Sequence, residues 1–251
     1  MKFFIGFDRK EAVVYQVAAH SLRKTTPEAE IIPLIQDELR AKGIYDREDK
    51  LAATDFSLTR FLVPYLTGYK GWAVFVDCDF LFTRNVRNAL QKYLHPGLPL
   101  YAVKHEYTPR TQTKMGGVTQ HRYPKKNWSS FMLFDCGHEA NKLLRLDTVN
   151  TMPASWLHQF GWLDGWEIGE LDPGLNFLVG EYDPPEESAD LEAATDLTPT
   201  CLHFTLGIGP YLPPVPDYVK LWQASCSDYI AERDYQKDKE HGRRLARRMA
   251  V

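Results

Sequence analysis

The chemistry of this sequence centres on two aspartates that follow an apolar run. Residues 72–76 are apolar or small, and Asp77 and Asp79 come directly after them. Carboxylates within a buried strand are costly to desolvate unless a cation meets them, and alternate residues of a strand point to the same side. Magnesium and manganese, which commonly carry phosphates, suit such a pair. The alternative is that the two acids cap a helix or form ion pairs at the end of a strand.

Basic residues near this pair also point to an anionic ligand. Arg60 is followed by the apolar residues 61–63, and a guanidinium at a buried helix edge needs an anionic partner, either an acid or a phosphate. Residues 106–127 are polar and carry the basic side chains Arg110, Lys114, His121, Arg122, Lys125 and Lys126. We therefore expect either a solvated loop or a lid that closes over an anionic substrate.

Composition and charge exclude several classes of protein. The 251 residues suffice for one large α/β domain or two small ones, and a net charge of −3 gives no argument for nucleic acid. No run of 18 apolar residues and no signal peptide are present, so we expect a cytoplasmic protein. The four scattered cysteines include no CxxC pair, which argues against a zinc site and favours reduced thiols.

The order of apolar runs predicts an α/β fold with a mixed, mostly parallel sheet flanked by helices. Residues 3–7 read as a strand, 9–23 as a helix and 30–35 as a second strand, with Pro33 typical of a sheet edge. A β-α-β unit of this length predicts parallel pairing. Ligands bind beyond the carboxyl ends of such strands, where Asp8 falls. The alternative role for Asp8 is a helix N-cap.

The remaining elements follow from the same patterns. We predict further strands over 72–82, 98–104, 128–136 and 201–206, and helices over 54–65 and 85–93 and from 137 onward. The chain from residue 217 is predicted to be helical, so we divide it into a domain over 1–216 and a helical extension over 217–251. Residues 242–248 are rich in arginine, which favours either a peripheral contact with an anionic membrane leaflet or a solvated helix end.

These pieces, in this order, resemble the GT-A class of nucleotide-sugar glycosyltransferases, and most closely those related to glycosyltransferase family 8. The resemblance covers residues 2–212 and includes segments shared with bacterial and large-virus glycosyltransferases. It rests on residues 4–8, 59–65, 77–79, 126–134 and 203–211. It implies a manganese or magnesium ion held by Asp77, Asp79 and His203, a nucleoside diphosphate sugar donor that is UDP-linked, and a glycan or glycolipid acceptor.

The resemblance also implies which residues bind the donor. Arg60 contacts the donor by this match, and Asp8 contacts the nucleotide. Gly207 and Gly209 are small enough for backbone N–H groups to approach phosphate closely. The full predicted donor set is Phe7, Asp8, Arg9, Arg60, Asp77, Lys104, Ser129 and Gly207.

Two departures from the family pattern leave parts of the site open. A lysine often follows the glycine that corresponds to Gly207, and here the stretch is Ile-Gly-Pro-Tyr. Retaining members carry an acid-glutamine-acid segment, whereas residues 169–176 contain no glutamine. An inverting enzyme needs a general base near the acceptor hydroxyl. The candidates are Asp164, Glu170 and Asp172, with Asp164 favoured because Trp162 and Trp166 could form a platform for a sugar.

Two other functions compete with a transferase. Phosphatases of the haloacid-dehalogenase type also place a DxD after an apolar strand, but we find no later strand that ends in paired acids. A non-catalytic protein that binds a sugar or a nucleotide on the same fold is the second alternative. Phosphate release from a phosphomonoester would favour the first, and donor binding without hydrolysis or transfer would favour the second.

Overall fold

The computed structural model describes residues 1–48, 52–95, 97–114, 117–119, 123–185, 192–208 and 217–249. The strands are β1 Lys2–Phe7, β2 Glu30–Ile35, β3 Trp72–Val76, β4 Phe80–Phe82, β5 Leu100–Ala102, β6 Thr113–Lys114, β7 Val118–Thr119, β8 Phe131–Asp135, β9 Ile168–Glu170, β10 Phe177–Leu178 and β11 Cys201–His203. The α-helices are α1 Ala12–Thr25, α2 Gln36–Ala41, α3 Val63–Leu66, α4 Val86–Leu90, α5 Leu146–Thr151, α6 Ala154–His158 and α7 Val219–Met249. Short 3-10 helices cover Arg9–Glu11, Thr59–Leu62, Gln91–Tyr93, Trp128–Ser130, Glu139–Leu143, Gly165–Glu167 and Pro173–Leu175.

A six-stranded mixed sheet forms the centre of the molecule, in the order β2-β1-β3-β8-β5-β9. β1 pairs in parallel with β2 and β3, and β5 pairs in parallel with β9. Only β8 among the described strands of this sheet runs antiparallel to its neighbours. The predicted α/β fold with a mostly parallel sheet is therefore confirmed, and Pro33 lies on an edge strand as predicted.

The predicted strand over 72–82 is wrong at its centre. β3 ends at Val76, residues 77–79 form a turn, and Phe80–Phe82 leaves the large sheet. These last three residues form β4 of a second sheet, ordered β10-β11-β4, in which β4 runs antiparallel to β11. Aspartate is unfavourable in strand interiors and favourable in turns, which explains the break.

Other predicted elements are shorter than the apolar runs that indicated them. The helix predicted over 54–65 is a 3-10 turn, Thr59–Leu62, followed by α3. The strand predicted over 98–104 is reduced to Leu100–Ala102, and that over 128–136 begins with a 3-10 turn. Apolar residues that flank a strand or a helix are buried as well, so hydrophobicity alone does not mark where the regular backbone ends.

The core comprises two apolar clusters. The larger lies around the central sheet, and its fully buried members include Phe3, Phe75 and Phe134. The smaller joins α1 to the second sheet and to α7, with Val17 and Trp222 among its members. None of the helices in the described part of the chain is long and apolar enough to cross a membrane. The division of the chain after residue 216 stays a prediction, because residues 209–216 lie outside the described part.

Candidate metal centre and its cavity

The two predicted aspartates and the distant histidine come together. Asp77, Asp79 and His203 each offer one ligand atom, and these atoms lie within 4.8 Å of one another. Ions such as magnesium hold oxygen ligands at about 2.1 Å, which separates opposite ligand atoms by about 4.2 Å. The three side chains are therefore already close to the spacing that such an ion requires.

Strand pairing explains how residues 124 positions apart in the chain become neighbours. In the antiparallel pair β4–β11, His203 lies opposite Phe80, the residue that directly follows Asp79. The backbone N–H of Phe204 also donates to the carbonyl of Asp79, with an N···O distance of 2.9 Å. The His203 ring stacks on the Phe80 ring with centroids 4.5 Å apart. Strand pairing in the second sheet therefore places His203 beside the turn formed by residues 77–79.

A buried asparagine fixes the orientation of the imidazole. The Oδ1 atom of Asn176 lies 2.8 Å from Nδ1 of His203. The amide nitrogen of Asn176 lies 3.2 Å from the backbone carbonyl of Asn127, which can only accept, so this nitrogen must be the donor and Oδ1 the acceptor. Nδ1 of His203 therefore carries a proton. Such a contact on the far ring nitrogen is what orients histidine ligands in metal sites.

This orientation turns the other ring nitrogen toward the acids. Nε2 of His203 lies 3.3 Å from Oδ1 of Asp79. With Nδ1 protonated, both atoms of this pair present lone pairs to each other, and a cation or a proton must lie between them. The arrangement fits a divalent ion held by Asp77, Asp79 and His203.

Arg60 is held at the same place by three kinds of contact. Its Nη1 atom lies 2.9 Å from Oδ1 of Asp77 and donates to the carbonyl of Ser129 at 2.7 Å. Its guanidinium carbon lies 4.9 Å from the ring centroid of Phe75 and 5.4 Å from that of Phe56. Of the two kinds of anionic partner that the sequence left open for Arg60, an acid and a phosphate, the structure shows an acid, Asp77, and the planar cation is fixed at the wall of the site.

A third carboxyl group, Glu11, lies beside the two aspartates. It is 6% exposed and its Oε2 atom accepts from the Cys78 thiol at 3.2 Å. Burial, and then the carboxylate of Asp79, raise the pKa of Glu11 to about 7. Burial is the main reason that a charge on Glu11 is costly, and the neighbouring aspartates add to that cost.

A cavity of about 470 Å³ opens at this cluster. Its charged lining comprises the three acids and two arginines, Arg47 and Arg60. His158, on the same lining, is neutral because burial, and then Arg60, lower its pKa to about 3. Its Nδ1 atom lies 3.0 Å from the hydroxyl of Ser129. The cavity therefore combines a cation site with a fixed guanidinium.

The predicted donor residues divide into two groups. Arg60, Asp77 and Ser129 line this cavity. Five others are not among its lining residues: Phe7, Asp8, Arg9, Lys104 and Gly207. Contact between these five and a donor stays a prediction, and Gly209 lies outside the described residues.

Asp8 is a helix N-cap, which was the alternative role predicted for it. Its Oδ1 atom accepts from the backbone of Lys10 at 2.8 Å and its Oδ2 atom from the backbone of Asp55 at 3.1 Å. Arg9 is exposed and paired with Asp37. Lys104 lies over the ring of Trp128, with its Nζ atom 5.9 Å from the ring centroid.

The structure does not bring the predicted general bases to the cavity. Asp164 and Asp172 begin 3-10 helices as their N-caps, and Glu170 is exposed on β9. None of the three lines the cavity, so their role as a base stays a prediction.

The tryptophan platform is wrong. Trp162 is only 6% exposed, packs against Phe61 and donates through Nε1 to Oδ1 of Asn141 at 3.2 Å. Trp166 is 74% exposed, and the described ring contacts of Trp162 are with other residues. A large apolar ring in a short aromatic segment packs into the core when a helix such as Thr59–Leu62 covers it.

Sequence reasoning missed three residues of the site. Asn176 belongs to no periodic pattern, although it lies in residues 169–176, the segment that contains a glutamine in retaining members of the family. Glu11 and His158 lie in helical turns where acidic and basic residues are ordinary. The one available signal concerned Glu11. It lies three positions after Asp8, and Asp8 follows β1 at the edge of the sheet where ligands bind.

Comparison with known proteins places the chain in a family. No protein-family model matches it. Protein CDI of Arabidopsis thaliana is 39% identical over 241 residues, which cover 94% of this chain and 90% of the plant protein. The chain belongs to the family of Protein CDI.

Solved structures identify the fold. The chain is similar to the glycosyltransferase GlyE of Streptococcus pneumoniae TIGR4 (15% identity, TM-score 0.55) and to the bifunctional glycosyltransferase WbbM (12%, 0.59). These matches cover 94% of the chain in both cases, and 63% of GlyE and 51% of WbbM. It is also similar to the galactosyltransferase LgtC in complex with donor and acceptor sugar analogs (10%, 0.53), over 91% of this chain and 96% of that one.

The fold is therefore GT-A, the fold of nucleotide-sugar glycosyltransferases. This confirms the resemblance found in the sequence. The phosphatase alternative, which belongs to a different scaffold, loses its support. At these identities the likeness shows the fold alone, and activity must be argued from the site.

Proposed function

We propose that this protein is a metal-dependent glycosyltransferase that transfers a sugar from a nucleoside diphosphate sugar, UDP-linked, to a glycan or glycolipid acceptor. The observation that carries the proposal is the cluster of Asp77, Asp79 and an oriented His203 in a cavity of the GT-A fold. Two carboxylates suit manganese or magnesium, and an imidazole is an acceptable further ligand for manganese. When bound, such an ion neutralises the charge that develops on a diphosphate leaving group.

The side chains around the cluster have separate tasks. Asn176 holds the imidazole of His203 through Nδ1, which keeps Nε2 available as a ligand. Arg60 is fixed by Asp77 and by the Ser129 carbonyl, so it presents a cation without reorganisation when an anionic donor arrives.

The charge balance of the cavity predicts an order of binding. Glu11, Asp77 and Asp79 oppose a diphosphate, and Asp77 already engages Arg60. A nucleoside diphosphate therefore binds well only after a divalent cation has reduced this repulsion. We expect the metal to bind before the nucleotide and the nucleotide affinity to depend steeply on the metal.

Thermal unfolding with nucleoside diphosphates tests the binding half of the proposal. A ligand at 100 times its Kd adds about 2.7 kcal/mol, which for a chain of this size raises Tm by roughly 5–10 °C. We expect UDP with Mn²⁺ to give such a shift, and UDP in EDTA to give little. Equal shifts with and without metal, or no shift with any nucleoside diphosphate, would refute metal-dependent donor binding.

Donor turnover tests the catalytic half. Asp79→Ala removes one of the proposed ligands, and we expect metal-dependent hydrolysis and transfer to be lost while the fold is kept. Asp147→Asn is the matched control, because Asp147 is exposed and paired with Arg145. Unchanged turnover in Asp79→Ala would refute the assignment. Donor binding without hydrolysis or transfer across an acceptor panel would identify a non-catalytic binding protein.

A further inference from the structure

A second cavity, of about 630 Å³, adjoins the first. It is formed by residues 105–108, which follow β5, and by residues 123–126 and Trp128, which precede β8. Tyr123 lines both cavities. A ligand in the second cavity therefore lies next to whatever the metal centre binds.

Aromatic rings form one part of its wall, and two of them are fixed by hydrogen bonds. Nε1 of Trp128 donates to the carbonyl of His105 at 3.0 Å, and the hydroxyl of Tyr107 accepts from the Asn127 amide at 2.8 Å. With Tyr123 they offer flat apolar surfaces whose polar edges are already placed. Such surfaces suit the C–H face of a sugar ring.

Ammonium groups form the other part. Nζ of Lys126 lies 6.0 Å from the ring centroid of Tyr107 and 5.9 Å from that of Tyr123, and Lys126 is only 7% exposed. Nζ of Lys125 lies 5.9 Å from the Trp128 centroid, as does Nζ of Lys104 just outside the lining. Burial of an ammonium is costly; ring faces recover part of that cost, and Nζ of Lys125 also donates to the carbonyl of Gln159 at 2.6 Å.

The cations are more numerous than the acids. Glu106 is the carboxylate among the lining residues, and it is exposed. Burial, and then the charge of Lys104, lower the pKa of Lys125. An anionic ligand would offset the effect of Lys104 on Lys125, which a neutral ligand would leave in place.

The backbone around Lys126 is also unusual. Lys125 has φ of 59° and Asn127 has φ of 62°, so left-handed residues flank the buried lysine on both sides. Asparagine tolerates this conformation, and lysine does so at a cost. Strained backbone that the fold maintains is common at binding sites. Lys126, between these two residues, is buried and lines the cavity.

We propose that the second cavity binds the acceptor, and that this acceptor is a saccharide with an anionic group, either a carboxylate or a phosphate. The sugar ring lies against Tyr107, Tyr123 and Trp128, and the anionic group meets Lys125 and Lys126. In the reaction, an acceptor hydroxyl forms the new bond to the anomeric carbon of the donor as the bond from that carbon to the diphosphate breaks. The hydroxyl proton is released to solvent and the nucleoside diphosphate leaves. The role as acceptor rests on the proposed function, whereas the preference for an anionic saccharide does not.

Direct binding to the full chain tests this inference without any donor. Three probes are compared in EDTA by ligand-observed NMR: methyl glucuronide, glucose 6-phosphate and neutral methyl glucoside. We expect at least one charged probe to bind at least tenfold more tightly than the neutral one, and 500 mM NaCl to remove most of the difference. The two charged probes distinguish a carboxylate from a phosphate. Equal affinity for all three, or no binding of any, would overturn the inference.

Variants locate the binding. Lys126→Gln is expected to reduce the affinity for the charged probe about tenfold, and Lys126→Arg to retain most of it. Lys142→Gln is the matched control, because Lys142 is exposed and paired with Glu139. If Lys126→Gln does not fold, Lys125→Gln replaces it, since that side chain is less buried. Unchanged affinity in a folded variant would place the probe elsewhere and overturn the inference.

These experiments distinguish a failure of the acceptor inference from a failure of the proposed function. Saccharide binding by a protein that does not respond to UDP and Mn²⁺ would keep the anionic site and overturn the transferase. A response to UDP and Mn²⁺ without any preference for charged saccharides would overturn the acceptor inference alone.

Discussion

Replacing Asn176 with leucine should weaken the metal centre without touching a ligand. Asn176 is completely buried, and its Oδ1 atom accepts from Nδ1 of His203 at 2.8 Å. Leucine has a similar shape but cannot accept, so the imidazole loses the contact that fixes its tautomer and orientation. Loss of such a partner behind a metal ligand typically costs 10–100-fold in affinity.

The structure also gives the expected loss of stability. In Asn176→Leu the buried Nδ1–H of His203 loses its 2.8 Å acceptor, with the Ser130 hydroxyl left at 3.4 Å. The Asn127 carbonyl keeps a second donor, because the Ser130 hydroxyl donates to it at 2.7 Å. One poorly satisfied buried donor costs about 1–3 kcal/mol. The free energy of unfolding should fall by that amount.

A second buried asparagine provides a matched control. Asn141 is also completely buried, donates to the carbonyls of Pro99 and Asp135 at 2.7 and 2.8 Å, and accepts from Nε1 of Trp162 at 3.2 Å. Asn141→Leu therefore leaves one ring N–H without its acceptor, as Asn176→Leu does, but neither Asn141 nor Trp162 lines the metal cavity. Both variants should lose about 1–3 kcal/mol in urea unfolding.

Only the metal assay should separate the two variants. The EPR signal of free Mn²⁺ measures the Kd for the full chain, and Asn176→Leu should raise this Kd by 10–100-fold. Asn141→Leu should leave it unchanged. If Asn176→Leu loses stability and binds Mn²⁺ like the wild type, orientation of His203 by Asn176 does not matter. If the wild type itself binds no Mn²⁺, the metal centre is refuted.

Three further predictions concern the surroundings of the site. Arg60→Met removes the guanidinium partner of Asp77 and should cost about 3–5 kcal/mol in urea unfolding, with part recovered by Mn²⁺. Arg145→Met breaks an exposed ion pair, with Asp147, and should cost less than about 1 kcal/mol. Equal losses of stability in Arg60→Met and Arg145→Met would contradict the prediction. In metal-free protein, the Glu11 pKa of about 7 lies above its usual 4.5, so the free energy of unfolding should fall as the pH rises from about 4.5 to about 7, by at most about 3 kcal/mol. Glu11→Gln should abolish this slope, and a retained slope would assign it to other groups. A Cβ on Gly6 would lie 2.4 Å from the Phe56 ring, so Gly6→Ala should cost about 1–3 kcal/mol, whereas Gly165→Ala, with open space around it, should be nearly neutral in the same assay.

Several parts of the site could be predicted from the sequence because they are local. Asp77 follows an apolar strand at the edge of the sheet where ligands bind. Arg60 stands among apolar residues and needed an anionic partner, which is Asp77. The geometry behind the acid pair was nevertheless wrong, since Asp77 and Asp79 converge through a turn rather than along a strand.

Other parts depend on contacts that no local pattern contains. Asn176 directly precedes β10, and the parallel pairing of β10 with β11 brings it within hydrogen-bond distance of His203, 27 positions away in the chain. Glu11 reaches Cys78 across 67 positions, and nothing in either segment indicates it. The packing of Trp162 into the core, which removed a predicted sugar platform, has the same origin.

The sequence by itself determined the α/β class, the acids that could bind a cation and the family that the chain resembles. Local hydrophobic periodicity and the rule that strand ends carry ligands are sufficient for the first two, and the family rests on the resemblance of its motifs. Only the tertiary structure decided which tautomer His203 adopts and which acids stay outside the cavity. It also decided that Lys126 is buried beside Tyr123. These depend on long-range pairing and burial, which fix directions in space that a linear pattern does not encode.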